Sequence, residues 1–249
     1  MIWRSFKAEL YRFSRLTWPY VTFAIMLVFV LLDGFDVLGL SLGYIIKGHE
    51  AYQSWGYEAT LAFIGTFIVV SIFCSEFSKK NYRNLVSRVE EKYQVFIGKY
   101  LAFVTIILVI NIFFAFVTTI VYTISNGWGN ISVGLGIYQI IRLVFKNTIY
   151  ILTRLMFPMI FAFLFDSDAL VVIIYAAYNM LETFTTYFAS LYRRDYILEF
   201  LMKFSTINYP EFTLLETGLF DNWYMAFAYA FAIAMSILIP LFILRRKNI

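Results

Sequence analysis

The stretch Tyr100-Leu-Ala-Phe-Val-Thr-Ile-Ile-Leu-Val-Ile-Asn-Ile-Phe-Phe-Ala-Phe-Val-Thr-Thr-Ile-Val-Tyr-Thr-Ile-Ser125 contains no charged side chain. A helix rises ~1.5 Å per residue, so this segment alone exceeds the ~30 Å hydrocarbon core of a bilayer. The rest of the chain has the same character. Of its 249 residues 61% are hydrophobic, 21% aromatic and only 14% charged, where a soluble domain carries about a quarter charged residues. Mean hydropathy is +0.75. This excludes a disordered chain, an ordinary cytosolic enzyme and a secreted disulfide scaffold. A single cysteine, Cys74, permits no internal disulfide, and a single histidine, His49, does not support a protein-only zinc site.

Working outward from residues 100–125, uncharged apolar windows also occur at 17–40, 59–74, 138–165, 169–188 and 223–244. The expected fold is therefore an all-α integral membrane protein with six transmembrane helices in one domain. The first window follows a basic stretch but runs into Asp33-Gly34-Phe35-Asp36 rather than a small-residue cleavage site, so it reads as a retained helix. Most Lys and Arg residues fall on the side shared by both termini: Arg4, Lys7, Arg12, Arg15, Lys79, Lys80, Arg83, Arg88, Lys92, Lys99, Arg245, Arg246 and Lys247. The positive-inside rule then puts both ends in the cytoplasm. Trp3 and Trp18 fall at the inner boundary and Trp55, Trp128 and Trp223 at the outer one, where an amphipathic indole is best solvated.

Residues 1–15 form no span. Ile2, Phe6, Leu10 and Phe13 recur at helical spacing, with Arg4, Lys7, Arg12 and Arg15 around them. The expectation is an interfacial helix resting its apolar face in the inner leaflet, its basic residues among anionic lipid headgroups. The cytoplasmic loop at 76–92 contains a second amphipathic pattern, with Tyr82, Leu85, Val86 and Val89 on one stripe and Lys79, Arg83 and Glu90 around it. Such a helix lies on headgroups or docks into a partner's groove.

In this loop, Glu76-Phe77, Arg83, the aliphatic pair Leu85-Val86, Arg88, Lys92 and Gly98-Lys99 resemble the permease subunits of type-2 ABC exporters. Lys80-Asn81 stands where those proteins have Gly-Thr, and Val89 where they have Pro. The resemblance extends to the layout: an N-terminal interfacial helix, six spans, a coupling helix after the second and an amphipathic excursion (189–222) before the sixth. It implies that Glu76, Lys79, Asn81, Tyr82, Arg83, Leu85, Val86 and Arg88 couple the chain to ABC ATPase subunits, two copies of which serve a pair of permeases. The pair is either two copies of this chain or this chain with a related subunit. It also implies residence in a bacterial plasma membrane and export of lipids, polysaccharides, drugs or amphipathic peptides. ATP and Mg belong to the partner. No G-x-x-x-x-G-K-[S/T] occurs, since Gly98-Lys99 lacks the earlier glycine and precedes Tyr100. The chain is therefore expected to be neither an enzyme nor a binder of its own cofactor or metal, and no nucleic-acid partner is expected.

Charges at membrane depth cost roughly 2.5–3.5 kcal/mol each and mark functional candidates. Arg142, Lys146, Tyr150 and Arg154 follow one another at i+4 steps along residues 138–165, and Pro158 lies one turn beyond Arg154. Arg142 and Lys146 can snorkel to the outer boundary, so Arg154 is the one that demands an internal partner. Asp33, Asp36 and Glu182 are the available acids. Together these six residues form either a translocation lining or structural ion pairs. Phe- and Tyr-rich walls suit amphipathic peptides, which makes toxin or antimicrobial peptide export, or self-immunity, the favoured subclass. The alternatives are export of small hydrophobic drugs or lipids, a non-transporting structural or sensory subunit, and an intramembrane aspartyl enzyme built on Asp33 or Asp36 with Glu182.

Overall fold

The structure is a computed structural model that describes residues 2–35, 46–54, 57–74, 92–165, 167–191 and 223–246. The described residues are helical and contain no strand. In chain order the helices are α1 (Ile2–Arg15), α2 (Thr17–Gly34), the single turn α3 (Ala51–Ser54), α4 (Tyr57–Val69) with a π-helical turn Val70–Cys74, α5 (Lys92–Asn126), α6 (Val133–Arg154), α7 (Met156–Leu164), α8 (Asp168–Leu191) and α9 (Trp223–Arg246). Three segments are long and apolar enough to cross a membrane: Thr17–Gly34, Tyr93–Asn126 and Val133–Leu164, the last comprising α6 and α7. Shorter apolar helical stretches lie at Ile64–Cys74, Asp168–Leu181 and Tyr229–Arg245.

The central pillar of the fold is α5, against which α1, α2, α3, α4, α6 and α9 all pack. One face buries Phe96, Phe103, Ile106, Ile107, Ile110, Phe114 and Tyr122 at helical spacing. The opposite face is equally apolar and exposed, with Val109, Phe116 and Ile124 between 58% and 70% accessible. A helix apolar all round is stable where the surroundings are hydrocarbon. At 35 residues α5 is ~52 Å long, and it starts at Lys92 rather than at the expected Tyr100. The charge that marked a boundary in the sequence, Lys99, is 2% exposed and continues the helix, because Glu9 of α1 neutralises it.

This pairing adds a contact to the expected pose of α1. Its partly buried apolar face packs along the first turns of α5, with Glu9 buried there. Ser5 Oγ donates to the Val95 carbonyl at 3.1 Å. Gly98 makes the close approach possible, since a Cβ there would lie 2.5 Å from the Ile2 carbonyl oxygen and 2.8 Å from Ser5 Cβ.

The long segment after α5 is nicked once. Pro158 has no N–H for the Arg154 carbonyl, and the helix breaks at Leu155 (φ −78°, ψ 0°) before resuming at Met156. The α4 helix lies against this break at Gly65, where an added Cβ would overlap the Leu155 side chain. Below it Phe73, Phe96, Phe103 and Phe163 form an aromatic cluster joining the π turn, α5 and α7.

At the other end of α5, residues 46–50 are clipped to the α5–α6 connection. The Gly48 N–H donates to the Gly127 carbonyl and Lys47 Nζ to the Asn126 carbonyl, each at 3.0 Å. Asn126 Nδ2 donates to the Ile46 carbonyl at 3.0 Å. Gly127 and Gly129 have φ of 79° and 104°, which L side chains rarely adopt. His49 is buried, its Nδ1 2.5 Å from the Trp128 carbonyl and its Nε2 3.3 Å from the Glu50 carboxylate.

Candidate functional site

Residues at i+4 on an α-helix are separated by 400°, so each step turns the side chain ~40° further round the axis. Over the three steps from Arg142 to Arg154 the drift is ~120°, enough to carry the stripe from the outside of the bundle to its interior. Arg142 is exposed, while Lys146, Tyr150 and Arg154 are buried at 5%, 2% and 6% accessibility. Lys146 thus differs from expectation: it does not snorkel outward but is enclosed.

Arg154, the last residue of α6, sits at the break made by Pro158. Its Nη2 donates to Asn179 Oδ1 of α8 at 2.9 Å, and its guanidinium carbon lies 5.6 Å from the Tyr150 ring centroid. Asn179 is in turn held by its Nδ2 donating to the Tyr175 carbonyl at 3.0 Å. The expected acidic partners are not its described contacts. Asp33, in the last turn of α2, instead accepts a hydrogen bond from the Tyr122 hydroxyl of α5, beside the close approach of Gly34 to Val121 and Tyr122. The Glu182 side chain and all of Asp36 lie outside the described residues, as do Glu76, Lys79, Asn81, Tyr82, Arg83, Leu85, Val86, Arg88 and residues 192–222.

About 9 Å further along α6, six residues from Arg154, is a polar group the sequence did not single out. Asn111 of α5 is fully buried. Its Nδ2 donates to the Val144 carbonyl at 3.0 Å and to Thr148 Oγ1 at 2.9 Å, and its Oδ1 accepts from the Tyr52 hydroxyl of α3. That hydroxyl accepts from Asn147 Nδ2 at 3.1 Å, and Thr148 Oγ1 donates to the Val144 carbonyl at 2.7 Å. Donors and acceptors alternate consistently around the set. Each neutral bond is worth about 1 kcal/mol net, but leaving one of these buried groups without a partner costs about 1–3 kcal/mol.

The result is a polar seam along the buried side of α6, bounded by α3, α5 and α8, with a cationic side chain near each end. Its groups are amides, hydroxyls, an ammonium and a guanidinium, which bind by hydrogen bonding and charge. Among the described residues no group of His, Cys, Asp and Glu is gathered that could hold a metal ion. Asn111 could be found in the sequence only as an amide inside an uncharged run, Asn147 as the residue after Lys146 of the basic stripe, and Asn179 as an amide on a separate helix. Tyr52 carried no signal, because the turn that positions it is four residues long. No model of a known protein family matches the chain, and no curated protein matches it.

Proposed function

We propose that this chain is the membrane permease subunit of an ATP-driven exporter, with six spans, both termini in the cytoplasm and residence in a bacterial plasma membrane. Two such subunits, identical or related, enclose the path, and a separate ATPase docks on residues 79–87 of each. The cargo class is the amphipathic peptide, moved outward. The observation that carries this reading is the seam along α6. Two basic side chains and a set of amides are enclosed among helices whose outer faces are apolar, and charges so placed are costly unless they serve a path or a fixed pair. The break at Leu155 beside Arg154 adds a point where this helix can bend. The sequence of the cytoplasmic loop supports an ATPase as the energy source, since the chain lacks a phosphate-cradling loop of its own.

A second reading, a membrane subunit without transport, is favoured by one observation: Asn111, Tyr52, Asn147 and Thr148 satisfy one another, as a purely structural seam would. Joint replacement of Arg83, Leu85 and Val86 tests the ATPase coupling on which the exporter reading depends. Loss of a co-purifying ATPase from the triple variant supports the exporter, and retention of the ATPase removes residues 79–87 as its docking site.

A further inference from the structure

We propose that Arg154 receives a carboxylate of the amphipathic cargo while an aromatic ladder on α7 takes the cargo's apolar face, a deepening that rests on the exporter reading above. Only 6% of Arg154 is accessible, yet among the described residues it makes one hydrogen bond, from Nη2 to the neutral Asn179 amide. A guanidinium carries five N–H donors. No carboxylate of the described residues forms an ion pair with it. The Tyr150 ring, 5.6 Å away, adds a cation–π contact but no counter-charge. A buried cation held in this way is costly until a charge of the other sign arrives. A carboxylate suits the remaining donors, because the planar guanidinium fork matches its two oxygens.

The ladder begins just past the break at Leu155. Phe157, Phe161 and Phe165 follow at i+4 steps along α7 and its C-cap, with successive ring centroids 6.4 and 5.9 Å apart. Tyr178 joins the first rung, its ring centroid 4.9 Å from that of Phe157. Arg154 and Phe157 thus meet consecutive residues of α8, Asn179 and Tyr178, so the cation and the first rung face the same turn of that helix. All four rings are half-buried and keep surface for a ligand. The rung spacing matches the ~6 Å rise between i and i+4 residues, which a helical peptide also presents along its own apolar stripe. From Arg154 to Phe165 the rise is ~16 Å, about three such turns. On the exporter topology Phe165 stands toward the cytoplasm and Arg154 toward the bilayer centre. A peptide entering from inside then lies on the rings with its carboxylate against the cation.

The test measures binding of a dansyl-labelled Leu/Lys amphipathic helix to the full chain in nonionic micelles, with no ATPase present. Three forms of the peptide are compared: one ending in a carboxylate, one ending in an amide, and the amide form with a single Glu on its polar face. A carboxylate form should bind on the order of tenfold more tightly than the plain amide, and the form that does so identifies the source as terminus or side chain. The preference should vanish in Arg154→Gln. It should vanish equally in Asn179→Asp, which gives the guanidinium a carboxylate of its own and leaves no buried charge unpaired. Phe161→Ala should weaken all three forms alike and leave their ratio unchanged. Equal binding of the three forms to the wild type overturns the proposal and leaves the exporter reading intact. A preference that survives in Asn179→Asp also overturns it, by moving the carboxylate to another base. Absence of binding by every form overturns the peptide cargo class on which the proposal rests.

Discussion

The Glu9–Lys99 pair makes a prediction whose size depends on which partner is removed. Both side chains are buried, at 8% and 3% accessibility, but their neighbours differ. Glu9 has a second cation nearby, Arg12 Nη1 at 3.9 Å on a side chain 40% exposed. Lys99→Met therefore leaves the carboxylate with a partly hydrated counter-charge, at an expected cost of roughly 1–3 kcal/mol. Glu9→Gln removes the carboxylate bonded to the buried Lys99 ammonium, and the cost should reach the 3–5 kcal/mol typical of breaking a buried pair. In Glu9→Gln/Lys99→Met neither charge remains, and stability should recover above that of Glu9→Gln alone. The assay is a double-mutant cycle on reversible unfolding in detergent–lipid micelles, with limited proteolysis between residues 15 and 17 reporting release of α1. Single-variant losses below ~1 kcal/mol with no coupling, the behaviour of an exposed pair, would refute the assignment of α1 as a packed part of the α5 base.

Three further outcomes are expected. Asn111→Leu removes the hub of the seam, taking away the acceptor of the Tyr52 hydroxyl and the amide donor to the Val144 carbonyl and Thr148 Oγ1, a loss of about 2–4 kcal/mol by the same unfolding assay; Asn111→Asp should not restore it, because it has no N–H to donate to the Val144 carbonyl. Gly98→Ala should be costlier than Gly65→Ala: the first Cβ meets the Ile2 backbone oxygen, whereas the second meets the movable end of the Leu155 side chain. A cysteine pair at Ser5 and Val95 should cross-link readily in the wild-type background and poorly in Gly98→Ala. Finally, His49→Ala should loosen the clip between residues 46–50 and the α5–α6 connection, read as faster proteolysis near Gly127 with little change at α1.

The helical character of the chain was legible in its apolar runs, and among the described residues three segments are long and apolar enough to cross a membrane. Charge was the less dependable boundary mark. Lys99 ended a span on paper but lies inside α5, because its counter-charge comes from a helix far away in sequence that hydropathy cannot connect to it. The same blindness hid a contact of α1: periodicity identified its two faces, but not that Gly98 opens room on α5 for close packing against Ile2 and Ser5. The stripe through Arg142, Lys146 and Arg154 was visible as spacing, but its passage from exposed to buried depends on the 40° drift and on what packs beside it. Asn111, Asn147 and Asn179 are uncharged and so vanished into apolar windows. The break at Leu155 followed directly from Pro158.

The proposed transport role of the seam along α6 is tested by ATP-driven accumulation of a fluorescent amphipathic peptide in inside-out vesicles containing the chain and its ATPase. The expected result is accumulation with the wild type, loss in Arg154→Leu at equal amounts of assembled complex, and partial retention in Arg154→Lys, which keeps the charge but not the fork that reaches Asn179. Undiminished accumulation in Arg154→Leu would contradict it and leave Arg154 as a residue that only packs the bundle.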